Sequence, residues 1–175
     1  ALKDDFKVQI STDSRGSKYI NNENYQYSLI DVPNLFSSLL LFPYNFIKYC
    51  ISIIKSFKYL KLNNFNILIS TGGYMSLPLC LASNLLNIKI YIFEPNSIIG
   101  RVNKLTLGFA EKIICYDKDL KGINKKYLNK IYLIKPLIRK EIYKYQKNEK
   151  TTIADKKKIL IIGGSQGDKF FDEFI

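Results

Sequence analysis

Phe6, Val8 and Ile10 alternate with Lys7 and Gln9, and this period of two predicts a strand over residues 6–10. The strand runs into Ser11-Thr12-Asp13-Ser14-Arg15-Gly16, a polar turn with a glycine, as in a strand-to-helix unit met part-way. The chain is therefore expected to start inside a fold. An Asn-rich stretch at residues 21–24 and a short alternating run over 25–32 follow. Residues 35–62 are the most apolar part of the chain, yet Pro43, Lys48, Lys55 and Lys58 interrupt them. No uncharged run there reaches the roughly 18–20 residues that cross a bilayer. One or two amphipathic helices are predicted instead, with Lys48, Tyr49, Lys55, Lys58 and Lys61 available to a polar side. Such a segment either packs on a sheet or lies against an anionic lipid surface, and a core-facing role is expected for most of it.

From residue 65 the rhythm is regular. Strands are predicted at 65–69, 89–93, 112–116, 132–134 and 158–162. Between them come the turn Ser70-Thr71-Gly72-Gly73-Tyr74, a helix over 76–87, and a loop through Gly100 into a helix ending near residue 110. Strands alternating with helices in this way predict an α/β fold with a parallel sheet. The Lys- and Glu-rich residues 140–157 read as a linker, after which a second domain begins.

Composition narrows the chemistry. The 175 residues hold no histidine, so they supply neither a Ser-His-Asp triad, nor a Cys-His pair, nor a His-ligated zinc. Cys50, Cys80 and Cys115 are widely spaced, as expected of buried thiols in a reducing, cytoplasmic setting. Twenty-seven Lys and Arg against fifteen Asp and Glu give a formal charge of +12. Abundant Lys, Ile, Asn, Tyr and Phe fit an AT-rich coding bias, and a functional basic face explains the charge equally well. Such a face favours nucleotide phosphates or acidic lipid. No nucleic-acid-binding motif is present, so nucleic acid is not expected as a partner.

Two glycine turns stand at strand-to-helix junctions: Thr71-Gly72-Gly73-Tyr74-Met75-Ser76 and Gly163-Gly164-Ser165-Gln166-Gly167. In a parallel sheet these junctions lie at the carboxyl edge, where ligands bind. Glycines either merely make the turn or let a phosphate approach the backbone at a helix start, and two such loops favour an anionic ligand. Neither is a P-loop, and a dinucleotide-type G-x-G-x-x-G is absent. Phe93-Glu94-Pro95-Asn96-Ser97 follows a strand; its carboxylate and amide suit sugar hydroxyls, or Asn96 or Ser97 caps the next helix. Asp117-Lys118-Asp119 has the form of a metal-binding DxD but no supporting ligand, so it reads as a solvated turn and no metal is assigned. Arg139, after Ile134-Lys135-Pro136-Leu137-Ile138, could pair a diphosphate or simply face solvent.

The order T-G-G-Y-M-S, F-E-P-N-S with I-I-G-R-V-N-K, K-P-L-I-R-K-E and I-L-I-I-G-G-S-Q-G closely resembles glycosyltransferase family 28. Its members of this type add N-acetylglucosamine to the lipid-linked muramyl precursor of peptidoglycan. The likeness covers residues 8–175. It implies a GT-B glycosyltransferase with two Rossmann-like domains. Residues 1–139 would be the acceptor and membrane-associating domain, incomplete at its start; 140–157 would be the linker. Residues 158–175 would open the UDP-GlcNAc domain. The implied partners are UDP-GlcNAc, lipid I and the anionic cytoplasmic face of the bacterial inner membrane, with no cofactor and no metal. The implied donor-site residues are Asn96, Arg139 and Ser165, with Gly163, Gly164 and Gln166 in the same loop. Gly72, Gly73 and Tyr74 would face the cleft.

This sequence departs from the family pattern in places. Phe93 and Pro95 replace the usual His and Gln of H-E-Q-N, and G-N-P-V-R reads Lys135-Pro136-Leu137-Ile138-Arg139. Asp168 replaces an Ala, and the first glycine-rich loop of the family, with its histidine, is absent. The catalytic base is therefore unassigned, with Glu94 the nearby candidate, and this stretch alone is expected to be inactive. The alternative is a non-catalytic membrane-docking half of a split UDP-sugar transferase.

Overall fold

Six short strands, three α-helices and two 3₁₀ helices make up the computed structural model, which describes residues 6–20, 26–33 and 40–138. The chain divides into two compact units, Ala1–Pro136 and Leu137–Ile175, and nearly all described residues belong to the first. The strands are β1 (Ile10–Thr12), β2 (Tyr27–Leu29), β3 (Ile67–Ser70), β4 (Lys89–Glu94), β5 (Ala110–Cys115) and β6 (Ile131–Leu133). The helices are α1 (Phe42–Asn63), α2 (Ser76–Leu85) and α3 (Arg101–Thr106).

Every strand pair is parallel. β3-β4-β5-β6 form one sheet in that order and β1-β2 a second, two-stranded one. The α/β expectation therefore holds, while β1 sits later than predicted. Only residues 10–12 pair with β2, and Phe6 and Val8 remain exposed. In β4, Ile90, Ile92 and Glu94 are buried at every second position. The period that fills the core with two isoleucines thus places a carboxylate on the same face at the strand's last residue.

Residues 42–63 form one helix of 22 residues, with Pro43 in its first turn, where a missing N–H costs little. It ends at Asn64, which takes the left-handed conformation with φ 51°. Its buried stripe is Asn45, Tyr49, Ser52, Ser56 and Leu60. Tyr49, expected beside the lysines, is instead packed with Leu60, Leu79 and Ala82 in one core cluster. Helical spacing fixes that stripe, because Tyr49 lies three and four residues from Ser52 and Asn45 and so shares their face, not that of the adjacent Lys48. Burial raises the Tyr49 hydroxyl to about 12, with the neighbouring Cys80 and Cys50 adding to the shift.

Helix α2 stops two residues before the predicted end, because Asn87 turns left-handed and Ile88 N–H donates to Ser83 O at 2.9 Å. Helix α3 is likewise shorter than predicted. Thr106 O accepts from Phe109 N–H, and Lys130 Nζ donates to the carbonyls of Leu107, Gly108 and Ala110, which closes the turn into β5.

Candidate functional site

Because β3 and β4 run parallel in register, their carboxyl ends open on the same edge, and the loops that follow are neighbours. The first loop turns on Gly72 and Gly73, with φ of 84° and 79°. Gly72 N–H donates to Ser70 Oγ at 3.3 Å, and Gly73 O accepts from the Ser76 amide and hydroxyl at 3.1 and 2.8 Å. A Cβ on Gly73 would meet nothing within 4 Å, so the backbone there is open to an approaching group. Tyr74 is exposed, and the Arg15 guanidinium from the turn after β1 lies 5.5 Å from its ring centroid. Asp13 holds that guanidinium through Nε and Nη2 at 2.9 and 2.6 Å.

The second loop is organised by Glu94, which is 2% exposed. Its Oε1 accepts from Asn96 N and Asn96 Nδ2 at 3.2 and 2.8 Å. Its Oε2 accepts from Gly100 N and Asn103 Nδ2 at 2.7 and 2.9 Å. Burial pushes the carboxyl pKa up, but the donors from Gly100, Asn103 and Asn96 outweigh it and hold the group below the ordinary glutamate value. A carboxylate with four donors on its two oxygens binds a proton poorly, which speaks against Glu94 as the base. The cap of α3 also differs from expectation. Gly100 is the N-cap and no side chain caps it, because Asn96 is turned to Glu94.

Further out, Lys121 N–H donates to Ser97 O at 2.8 Å and Ile99 N–H to Lys121 O at 3.0 Å, tying this loop to the one after β5. Phe93 packs edge-on against Tyr116, with centroids 5.8 Å apart. In the Asp117-Lys118-Asp119 turn, Asp117 Oδ1 accepts from the Asp119 amide at 3.0 Å, and all three residues are exposed. Among the described residues no three His, Cys, Asp or Glu side chains are placed to hold a metal ion.

The structure thus brings Gly72, Gly73, Tyr74, Glu94 and Asn96 to one edge. Arg139, Gly163, Gly164, Ser165 and Gln166 lie outside the described residues. Sequence reasoning missed Asn103, a buried side chain that touches both loops. Its signal was an asparagine on the buried side of a short helix, three residues after Gly100.

The family model for the glycosyltransferase family 28 N-terminal domain matches residues 2–115, a span that includes both loops. This chain belongs to glycosyltransferase family 28. A relative from Pelagibacter ubique (strain HTCC1062) is 42% identical over 174 residues, covering 99% of this chain and 48% of the relative. Its name is UDP-N-acetylglucosamine--N-acetylmuramyl-(pentapeptide) pyrophosphoryl-undecaprenol N-acetylglucosamine transferase. A protein of the same name from Rickettsia felis (strain ATCC VR-1525 / URRWXCal2) is 30% identical, covering 99% of this chain and 49% of that protein. The chain spans about half the length of the curated relatives it matches. The crystal structure of Acinetobacter baumannii MurG superposes with a TM-score of 0.61 at 17% identity, covering 80% of this chain and 40% of the other. That likeness carries the fold, a Rossmann-like α/β unit of the GT-B type.

Proposed function

We propose that this chain supplies the acceptor-side half of an inverting N-acetylglucosaminyltransferase. The enzyme would move GlcNAc from UDP-GlcNAc to the 4-hydroxyl of the muramyl sugar in lipid I, giving lipid II for peptidoglycan synthesis. The observation that carries this reading is the pair of loops at one sheet edge, Gly72-Gly73-Tyr74 and Glu94–Asn96, within the segment matched by the family. Residues 1–139 would form the acceptor domain, 140–157 the linker and 158–175 the first unit of the donor domain.

In this mechanism the muramyl hydroxyl attacks the anomeric carbon as the bond to UDP breaks, and negative charge grows on the departing diphosphate. The N–H groups at Gly163-Gly164-Ser165 and the Arg139 guanidinium would meet that charge without a metal. Asn96, with Gln166, would contact the donor. Glu94 would hold the loop rather than take the proton, so the base comes from elsewhere.

Helix α1 would supply contact with the membrane. Phe46, Ile47, Ile51, Ile54 and Leu62 are exposed on it. A groove of about 760 Å³ runs beside Ile54, Phe57, Leu62 and Leu85, with Lys58 and Lys61 on its rim. An apolar face flanked by lysines suits an anionic leaflet, where each cation near the surface contributes roughly 1 kcal/mol. No helix among the described residues is long and apolar enough to cross a membrane. The reading is therefore peripheral attachment at the cytoplasmic face.

The test is transfer from labelled UDP-GlcNAc to a lipid I analogue by the full-length gene product, with EDTA present. Arg139→Ala removes one donor to the diphosphate and is expected to lower kcat/KM about 100- to 1,000-fold, whereas Ser165→Ala keeps the backbone N–H and should cost less. A folded protein that transfers nothing yet binds anionic vesicles would replace this reading with the membrane-docking one.

A further inference from the structure

Asn103 is 1% exposed, on the first turn of α3. Its Nδ2 donates to Glu94 Oε2 at 2.9 Å. The same amide lies against the other loop: a Cβ on Gly72 would fall 3.0 Å from Nδ2, 3.2 Å from Oδ1 and 3.3 Å from Cγ. Oδ1 is buried and has no hydrogen-bond partner among the described residues. One side chain thus bears on Gly72 and on Glu94, whose carboxylate in turn fixes Asn96 and Gly100.

We infer that Asn103 is a positioning residue, which sets the Gly72-Gly73 turn against the Glu94 loop so that Gly72-Gly73-Tyr74 and Asn96 are held together at the cleft edge where acceptor and donor meet. This rests on the reading above, in which Gly72-Gly73-Tyr74 face the cleft and Asn96 contacts the donor. The amide meets two requirements together. It is a donor, so Glu94 Oε2 keeps two partners. It is also flat, so the Gly72 backbone can lie close upon it. An aliphatic side chain of similar size meets neither. Aspartate has the shape but, when ionised, sets a second carboxylate against Glu94; when protonated, its O–H restores the bond. Among the described residues Cys115 on β5 is the titratable neighbour of Glu94, and burial raises its thiol so that it stays neutral. Arg101 and Lys104 on the same helix are exposed.

The experiment uses the full-length gene product with Asn103→Leu and Asn103→Asp, read as kcat and KM for acceptor and donor from mildly acidic to mildly alkaline pH. Misplacing a loop is expected to lower kcat/KM on the order of 100-fold in both variants at neutral pH. Lowering the pH should rescue Asn103→Asp and leave Asn103→Leu unrescued. Wild-type kcat/KM in Asn103→Leu, or an Asn103→Asp profile parallel to wild type, would overturn the inference. Amide hydrogen exchange at Gly72 and Gly73 reads the same placement without any reaction. Relative to wild type at the same pH, it should quicken in Asn103→Asp at neutral pH and return toward the wild-type rate in acid, and exchange equal to wild type at both pH values overturns the positioning role. A wild-type protein that transfers nothing overturns the proposed function instead, and the exchange measurement still decides the role of Asn103.

Discussion

Helix α1 and the Glu94 loop both bury polar groups, and they do so in opposite ways. At Glu94 the buried carboxylate gathers four donors from Asn96, Gly100 and Asn103, so its polarity is accounted for within the fold. On α1 the inward stripe includes Ser56 and Tyr49, whose hydroxyls have no partner among the described residues, while Phe46, Ile47, Ile51 and Ile54 face outward. A helix packed only for its own core would present the reverse pattern. The loop is explained from inside the molecule, whereas the outward apolar side chains of the helix have no covering within the described residues. Under the proposed function, the loop would draw rigidity from its own hydrogen bonds, and α1 would leave apolar side chains uncovered for a membrane.

The largest effect is expected where the internal account is densest. Glu94→Ala leaves four donors facing a void and should destabilise the protein by about 3–4 kcal/mol in urea unfolding. The same carboxylate makes stability depend on pH, and the sign follows from its lowered pKa. Its contribution is complete above the unfolded glutamate value of about 4.3. It is lost as the pH falls through the lower folded-state value. Glu94→Gln should flatten that acid limb, and an unchanged acid limb would show that ionisation of this carboxylate is not coupled to folding.

Much of this edge was legible in the sequence. The alternation of β4 predicts a strand ending near Phe93, and the glycine pair after β3 marks a turn whatever the surroundings. The use of Glu94 was not legible, because its partners at positions 96, 100 and 103 converge only once α3 folds back over the strand end. Asn103 was hidden for the same reason: contact with Gly72 spans 31 residues and leaves no local pattern. On α1 the helical period was readable, but assigning Tyr49 to the lysine side followed composition, and the packing against Leu79 and Ala82 reversed it. Local periodicity marks elements well. Which stripe faces inward depends on neighbours that the period does not contain.

The two glycines offer a smaller and sharper test of how tightly the edge is bound. Both have positive φ, so alanine at either position carries backbone strain. Only Gly72 has Asn103 against it, whereas Gly73 faces open space. Gly73→Ala should therefore destabilise by about 1 kcal/mol and Gly72→Ala by about 2–3 kcal/mol, measured by thermal or urea unfolding. Equal losses would mean that the Asn103 contact gives way freely and that the two loops are not held in register by it.

The smallest effects belong to α1, and there the sign matters more than the size. Ser56 is fully buried with an unpartnered hydroxyl, so Ser56→Ala removes an unsatisfied group at little packing cost and should stabilise by about 0.5–1 kcal/mol. Two residues earlier Ile54 points outward, 55% exposed, and Ile54→Asn should change stability by no more than about 0.5 kcal/mol. The same Ile54→Asn change should weaken sedimentation with anionic vesicles several-fold, because burying the half of that side chain left exposed contributes about 1 kcal/mol. Ser56→Ala should leave vesicle binding as it was. If Ile54→Asn instead destabilises the fold and spares vesicle binding, the outward apolar face is covered by protein, and the contrast between helix and loop becomes one between two interiors.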